Sequence, residues 1–302
     1  EIVKGPSSLL YGADALGGVL YFTDEDYLPP NSLNSSFETR FESNSMSSFN
    51  IARIKLATEK IRFNVYAGYK SAAEYQIPDG EFVKNSSYNR KSLKASLGYN
   101  KNNWILNLRY NYNSNENGLP GHTHSLNPSP EEFLLETQHR ERILPLQLIE
   151  DHYLSIENKL ILSNQSVIRF NTGFTSNSIT EFEEKVTIPG ISMLLNNIPY
   201  NFSFTSYVNE NLKWISGIQG MLTKNSNDES AESSLIPNAS SYDVGSYSLL
   251  QYSKSQFETQ IGLRYDIREI DAGDLLSKNF SKLNGSFGLV FQKELYTLRT
   301  NF

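Results

Sequence analysis

The sequence predicts an all-β protein, an antiparallel transmembrane β-barrel, from the period, the length and the spacing of its strands. Apolar and polar residues alternate in long runs, for example from Ile61 to Lys70 and from Trp104 to Asn113. Such alternation gives a strand one apolar face and one polar face. Many runs reach the roughly 9–11 residues that a tilted strand needs to cross a bilayer, whereas soluble strands usually have about 5–6.

About thirteen strands are predicted, and the connections between them differ in length along the chain. Short turns fall at 59–60, 100–103, 163–164, 209–211, 253–255 and 292–294. Between them lie longer links at 72–87, 114–150, 182–190, 224–241 and 269–278. Short turns at one end and long loops at the other are typical of outer-membrane barrels. The predicted strands span 34–43, 48–58, 60–71, 88–99, 103–113, 151–162, 165–181, 191–206, 212–223, 242–252, 256–268, 279–291 and 295–302.

Composition favours the same fold. Only 38% of residues are hydrophobic, yet 12% are aromatic, which suits an apolar outer face, a wet lumen and aromatic rims. No apolar run approaches the roughly 18 residues of a membrane helix, and a closed barrel is the other structure that spans lipid. A soluble β-sandwich or β-helix is the alternative; the strands of a sandwich also alternate, but a sandwich does not require strands of ten residues throughout.

Charge and cysteine content exclude several classes of function. The net charge is −6 and the basic residues do not cluster along the sequence, so we expect no nucleic-acid partner. There is no cysteine, which excludes disulfides, thiolate metal sites and cysteine nucleophiles. No catalytic serine or metalloprotease motif is found, and His152 beside Asp151 is interpreted as a rim residue. We expect neither an enzyme nor a resident cofactor.

The first 22 residues predict a strand, a turn, a short helix, a turn and a second strand. Gly5-Pro6 ends the first strand, and Ser7 or Ser8 can cap a helix that covers Leu9 to Tyr11. Gly12 can adopt the left-handed conformation that ends this helix. Gly17-Gly18 permits a close backbone approach before the strand at 19–23.

This stretch resembles the end of the plug domain of TonB-dependent outer-membrane receptors, whose pattern runs E-V-I-K/R-G-P-x-S-x-L-Y-G-x-x-A-x-G-G-V-I. Leu20-Tyr21 stands where the family often continues with Ile-Asn, so the match departs there. A phosphate loop would need Gly-Lys-Ser/Thr, which is absent. The matching residues are Glu1, Lys4, Gly5, Pro6, Ser8, Tyr11, Gly12, Ala15, Gly17, Gly18 and Val19.

The resemblance implies a domain organisation and partners. Residues 1–24 would be the C-terminal end of the plug, and 25–302 the N-terminal part of the barrel, with about 13 of about 22 strands. The chain begins within the motif and stops within a strand-like run, so we expect a fragment. The resemblance also implies the outer membrane of a Gram-negative bacterium, contact with its lipid, and coupling to the inner-membrane TonB complex through a segment upstream of residue 1.

One polar cluster in the long loop at 114–150 suggests metal binding. His122 and His124 are separated by one residue, so in extended backbone both imidazoles face the same side and can reach one ion. The family includes receptors with histidine-rich loops that take up metals. The alternative is a solvated loop with two ordinary histidines. Titratable residues that follow the pair are Glu131, Glu132, Glu136 and His139.

The predicted function is active import of a scarce ligand. A ferric siderophore is the leading hypothesis, since the resemblance implies it as the commonest cargo. Zinc or another metal ion, bound by His122 and His124, comes second, and cobalamin, haem and glycans stay open. A structural or adhesive barrel without transport is the alternative from another class. A passive porin would lack the N-terminal motif.

Overall fold

The computed structural model describes residues 2–3, 9–12, 15, 18–20, 22–121 and 126–301. Its main feature is one antiparallel sheet of thirteen strands. Each strand pairs with the next main strand along the chain, and the two edge strands are β3 (Ser32–Glu42) and β17 (Tyr296–Asn301). This is the arrangement of an up-and-down barrel wall, and the sheet is a partial barrel. The sequence-based prediction of an all-β, partial barrel is confirmed.

The wall strands are mostly long. Two further short pairs lie outside the wall: β1 (Ile2–Val3) with β2 (Val19–Leu20), and β6 (Phe82–Val83) with β9 (Leu134–Leu135). The wall consists of β3 (Ser32–Glu42), β4 (Ser47–Ala57), β5 (Ile61–Ala72), β7 (Tyr88–Lys101), β8 (Trp104–Gly118), β10 (Leu146–Ile161), β11 (Val167–Phe182), β12 (Ile191–Tyr207), β13 (Leu212–Asn227), β14 (Ala239–Lys254), β15 (Phe257–Asp271), β16 (Ser277–Lys293) and β17 (Tyr296–Asn301).

The connections divide the wall into two ends. At the short-turn end, neighbouring strands are joined by segments such as 58–60, 102–103 and 255–256. At the long-loop end, the links include 73–87 and 119–145. This confirms the predicted alternation for the links 73–87, 119–145, 183–190 and 228–238. The long link predicted at 269–278 is wrong, because β15 and β16 extend into it and leave only 272–276, no longer than the turn 162–166.

Several strands extend further than the sequence predicts, and the longest extensions point toward the long-loop end. β8 continues to Gly118, β10 begins at Leu146, and β13 continues to Asn227. The extensions of β8 at 114–118 and of β13 at 224–227 are polar, so they lack the apolar alternation that marks the rest of each strand, whereas the extension of β10 at 146–150 contains three apolar residues. Their ladders are nevertheless complete, because pairing depends on backbone groups and not on apolar side chains.

The N-terminal motif has the predicted local order where it is described. β1 pairs antiparallel with β2. Residues 9–11 between them form a single 3-10 turn, and Gly12 follows with a φ of 121°. Gly18, with a φ of 109°, precedes β2. Positive φ favours glycine at both positions. Gly5, Pro6 and Gly17 lie outside the described residues.

The sheet has two chemically different faces. One carries exposed apolar side chains such as Ile54, Phe63, Leu97 and Ile261. The other carries mainly Asn, Ser, Thr, Lys and Arg and contacts residues 9–12 and the segment 22–31, which we call the linker. We call this second face the lumenal face. No helix in the described residues is long and apolar enough to cross a membrane.

Candidate functional site in the barrel lumen

The register of the sheet identifies the lumenal side chains, because residues directly opposite each other on neighbouring strands share a face. Ser96 lies opposite both Asn64 and Arg109, which places all three on the lumenal face. In the same way Tyr247 joins Gly217 and Arg264 on that face. The polar half of each alternating run therefore lines the lumen.

Arg264 of β15 fixes the N-terminal motif to the lumenal face. Only 4% of this residue is exposed, and its guanidinium is paired with Asp266, with an Nη2–Oδ1 distance of 2.7 Å. Nη1 donates hydrogen bonds to the carbonyl oxygen of Leu9 at 3.2 Å and to Gln219 Oε1 at 3.1 Å. The guanidinium also lies over the Tyr247 ring, 5.7 Å from its centroid. One buried cation thus connects β13, β14, β15 and the motif.

Asp24 of the linker binds the lumenal face through two basic residues. Its carboxylate is 2.5 Å from Lys94 Nζ and 2.7 Å from Arg109 Nε. Arg109 has a side chain only 11% exposed and also pairs with Glu157, at 2.7 Å. Because Arg109 lies on β8 and Glu157 on β10, the linker joins a network that spans neighbouring wall strands.

Glu25 and Tyr27 add further contacts between the linker and the wall. The Glu25 carboxylate pairs with Lys55 and accepts a hydrogen bond from the Tyr66 hydroxyl. The hydrogen bond from Lys55, and then that from Tyr66, lower the pKa of Glu25 below its usual value of 4.5. A Cβ on Gly98 would lie 3.0 Å from the Tyr27 ring, so glycine permits this close approach.

At the long-loop end, the loops 73–87 and 119–145 are joined by buried polar groups. Glu74, 3% exposed, accepts hydrogen bonds from the backbone N–H groups of Asn85 at 2.8 Å and His139 at 3.0 Å. Asn85, also 3% exposed, donates to the carbonyl oxygen of Pro145 at 2.8 Å and accepts from the Ile143 N–H at 3.1 Å. Buried polar groups with satisfied hydrogen bonds hold these loops in one arrangement.

The two loops also share a small antiparallel pair, in which Phe82 lies opposite Leu135 and Val83 opposite Leu134. The loops 73–87 and 119–145 therefore pack together at the long-loop end of the sheet, which we call the mouth, whereas the sequence predicted them only as connections. A signal was available in Glu74 and Asn85, which are polar residues beside a strand end, but apart from their contact with each other their partners named above lie more than 50 residues away and could not be identified from the sequence.

The opposite face carries aromatic rings near both ends of the strands, as the composition predicts. Some of these rings contact one another: Tyr99 and Trp104 have centroids 5.3 Å apart, and Phe257 and Phe291 are 4.9 Å apart. Such girdles are found at the two membrane interfaces of outer-membrane barrels. Rings near the short-turn end are those of Tyr99, Trp104, Trp214, Tyr252, Phe257 and Phe291, and rings toward the long-loop end are those of Tyr69, Tyr110, Tyr112 and Tyr242.

The predicted metal pair, His122 and His124, lies outside the described residues, within the loop 119–145. Of the residues that follow it, Glu131 and Glu132 belong to a 3-10 turn and His139 contacts Glu74, with Nδ1 and Oε2 3.5 Å apart. Among the described residues no group of three or more His, Asp or Glu side chains is arranged to hold a metal ion. Metal binding by His122 and His124 stays a prediction.

The predicted rim residue His152 lies on the apolar face. Its Nδ1 is hydrogen-bonded to the Tyr110 hydroxyl at 2.8 Å, and its Nε2 is 3.3 Å from Glu150. Its ring centroid is 5.0 Å from that of Tyr112. These are aromatic and polar contacts toward the long-loop end of β8 and β10, and they do not face the lumen.

Comparison with solved structures shows which proteins share this fold. The FrpB iron transporter from Neisseria meningitidis superposes with a TM-score of 0.70 at 15% identity, over 89% of this chain and 46% of that one. The siderophore receptor PiuA from Acinetobacter baumannii gives 0.70 at 13% identity, over 99% and 53%. The copper transporter OprC gives 0.71 at 10% identity, over 99% and 49%.

The fold is that of a TonB-dependent outer-membrane receptor. The chain spans about half the length of these receptor structures, as expected for a partial receptor barrel. No protein-family model and no curated protein matches the sequence. At these identities the likeness concerns the receptor fold and not the cargo.

Proposed function

We propose that this chain is part of a TonB-dependent outer-membrane receptor that actively imports a scarce ligand. The observation that carries the proposal is the binding of the N-terminal motif and the linker to the lumenal face, through Arg264 and Asp24. A passive porin has a water-filled channel and would lack such an N-terminal segment bound to its lumenal face. In this proposal residues 1–24 are the C-terminal end of the plug and residues 25–302 form the N-terminal part of the barrel, in which Ser32 begins the first wall strand.

The proposal includes location and energy source. The exposed apolar face and its aromatic girdles support insertion into a bilayer, with the long loops outside the cell and the short turns in the periplasm. The outer membrane of a Gram-negative bacterium fits this arrangement. Transport would be driven by the TonB complex of the inner membrane, and the chain would act as a transporter rather than an enzyme.

We further propose a ferric siderophore as the cargo. The similar structures include an iron transporter and a siderophore receptor, which supports this choice over an unrelated solute. Zinc or another metal ion is the second candidate, because a His-x-His pair at His122 and His124 lies in a loop of the proposed mouth. The copper transporter among the similar structures supports considering a metal cargo.

Transcript levels of the gene in its native host, under separate iron, zinc and carbon limitation, test the choice of cargo. Induction by iron limitation alone supports the siderophore hypothesis. Induction by zinc limitation alone contradicts it and makes the His122→Ala/His124→Ala double variant the next experiment. Constitutive expression, together with unchanged nutrient uptake on deletion, would contradict transport and favour a structural or adhesive barrel.

A further inference from the structure

Positive charge is distributed unevenly over the lumenal face. The lumenal side of β4, β5, β7 and β8, which we call the basic wall, carries no Asp or Glu among its described residues. On β14 and β15, by contrast, each arginine has an acid on the same part of the sheet, as in Arg264–Asp266 and Arg268–Asp243. The basic residues of the wall are Arg53, Lys55, Arg62, Lys70, Arg90, Lys94 and Arg109.

The carboxylates that contact the basic wall all come from outside it. Glu38 and Glu42 of the edge strand β3 reach Arg53 at 3.0 Å and Lys70 at 3.2 Å. Glu157 of β10 reaches Arg109. The other carboxylates belong to the linker. The linker therefore already places two carboxylates, those of Asp24 and Glu25, against the short-turn half of the basic wall, which shows that this wall can bind an anion.

Two basic residues of the wall have no carboxylate partner among residues 22–121 and 126–301. They are Arg90, near the long-loop end of β7, and Arg62, next to the short turn 58–60. Arg90 is two residues from the long-loop end of β7, and its Nε donates a hydrogen bond to Asn115 Oδ1 at 2.6 Å. An anion that enters from the long-loop end would meet Arg90 before it meets the residues covered by the linker.

We propose that the basic wall binds an anionic ligand, and that Asp24 and Glu25 of the linker occupy its short-turn half as built-in competing anions. The inference rests on the receptor function proposed above and names the class of its cargo: a chelate or small molecule with several negative charges. A cluster of like charges lined by low-dielectric walls raises the local concentration of its counter-ion. The linker supplies the counter-charge when no ligand is bound.

Binding of a trianionic pyrene sulfonate dye to the purified protein in neutral detergent, followed by fluorescence anisotropy, tests the wall. The variant Arg90→Gln removes a lumenal charge, and Lys91→Gln is its matched control, because the adjacent residue lies on the apolar face of the same strand. We expect Arg90→Gln to weaken dye binding about threefold, a typical value for one exposed charge pair, and Lys91→Gln to leave it unchanged. Equal effects of the two variants would overturn the proposal.

The linker variant Asp24→Asn/Glu25→Gln tests the competition. Removal of the built-in anions is expected to tighten dye binding about threefold or more and to make it more sensitive to NaCl. Unchanged or weaker binding would contradict the role of the linker as a competing anion. Because dye binding requires neither TonB nor cargo uptake, failure of the basic wall to bind an anion can be distinguished from failure of the proposed transport.

Discussion

Arg264 Nη1 donates a hydrogen bond to the carbonyl oxygen of Leu9 across 3.2 Å, which joins two residues 255 positions apart. The contact places the N-terminal motif against β15, and the linker then crosses to β7 and β8, where Asp24 meets Lys94 and Arg109. The contacts of Leu9 and Asp24 therefore attach the N-terminal motif and the linker to different strands of the same wall.

Replacement of Arg264 by Met is expected to destabilise the protein by about 3 kcal/mol, because it leaves Asp266 buried without its charge partner. The measurement is the free energy of unfolding in urea in lipid vesicles. Arg299→Met on the edge strand β17 is the control, since Arg299 is exposed, and its effect should stay within about 0.5 kcal/mol. A loss no larger for Arg264→Met than for the control would contradict the anchoring role.

The contact between Asp24 and Arg109 is expected to give a coupling energy between these two residues in the free energy of linker release. In a double-mutant cycle with Asp24→Asn and Arg109→Gln, we expect about 1 kcal/mol of coupling, because Arg109 is largely buried whereas Asp24 is partly exposed. The rate at which a protease cleaves the linker reports the population of its released form. Additive effects of the two substitutions would show that the contact does not hold the linker.

The linker should also be released at acidic pH. The pKa of Glu25 is lowered in the folded protein, so its stabilising contribution is fully present above about pH 4.5 and is lost as the pH falls through the folded value. Because the chain has no cysteine, a single Thr23→Cys variant can carry a fluorescent label. Label anisotropy should fall below pH 4.5, and Glu25→Gln should remove that step.

A side chain at position 98 should displace Tyr27. The Cβ of Gly98→Val would lie 3.0 Å from the ring, and the added methyl groups would bring further overlap, so we expect faster proteolysis of the linker with an intact wall. Gly285→Val is the matched control, because the nearest side-chain atom to its Cβ is 3.6 Å away. Equal linker cleavage in both variants would contradict close packing of Tyr27 on Gly98.

The sequence predicted the wall well because one physical signal dominates it. Period-2 alternation identifies each strand wherever one face is apolar and the other polar, so the thirteen wall strands were located to within a few residues except where they continue past the apolar band. The local order of the N-terminal motif was also predictable, since Gly12 and Gly18 occupy positive-φ positions.

The lumenal contacts were not predictable from the sequence. Arg264 and Leu9, or Asp24 and Lys94, are paired by the curvature of the sheet and the path of the linker, neither of which has a local sequence signal. The basic wall was not predictable for a related reason. Its residues are dispersed along four strands and lie close together only because of the register of the sheet. The basic residues therefore cluster in space although they do not cluster along the sequence.

Cell-associated iron, measured by mass spectrometry after growth in iron-limited medium, tests the proposed transport most directly. Four strains of the native host are needed: with and without this gene, each with and without TonB. We expect the gene to increase iron accumulation only when TonB is present. Equal accumulation with and without the gene would contradict iron import, and an increase that persists without TonB would contradict TonB-dependent transport.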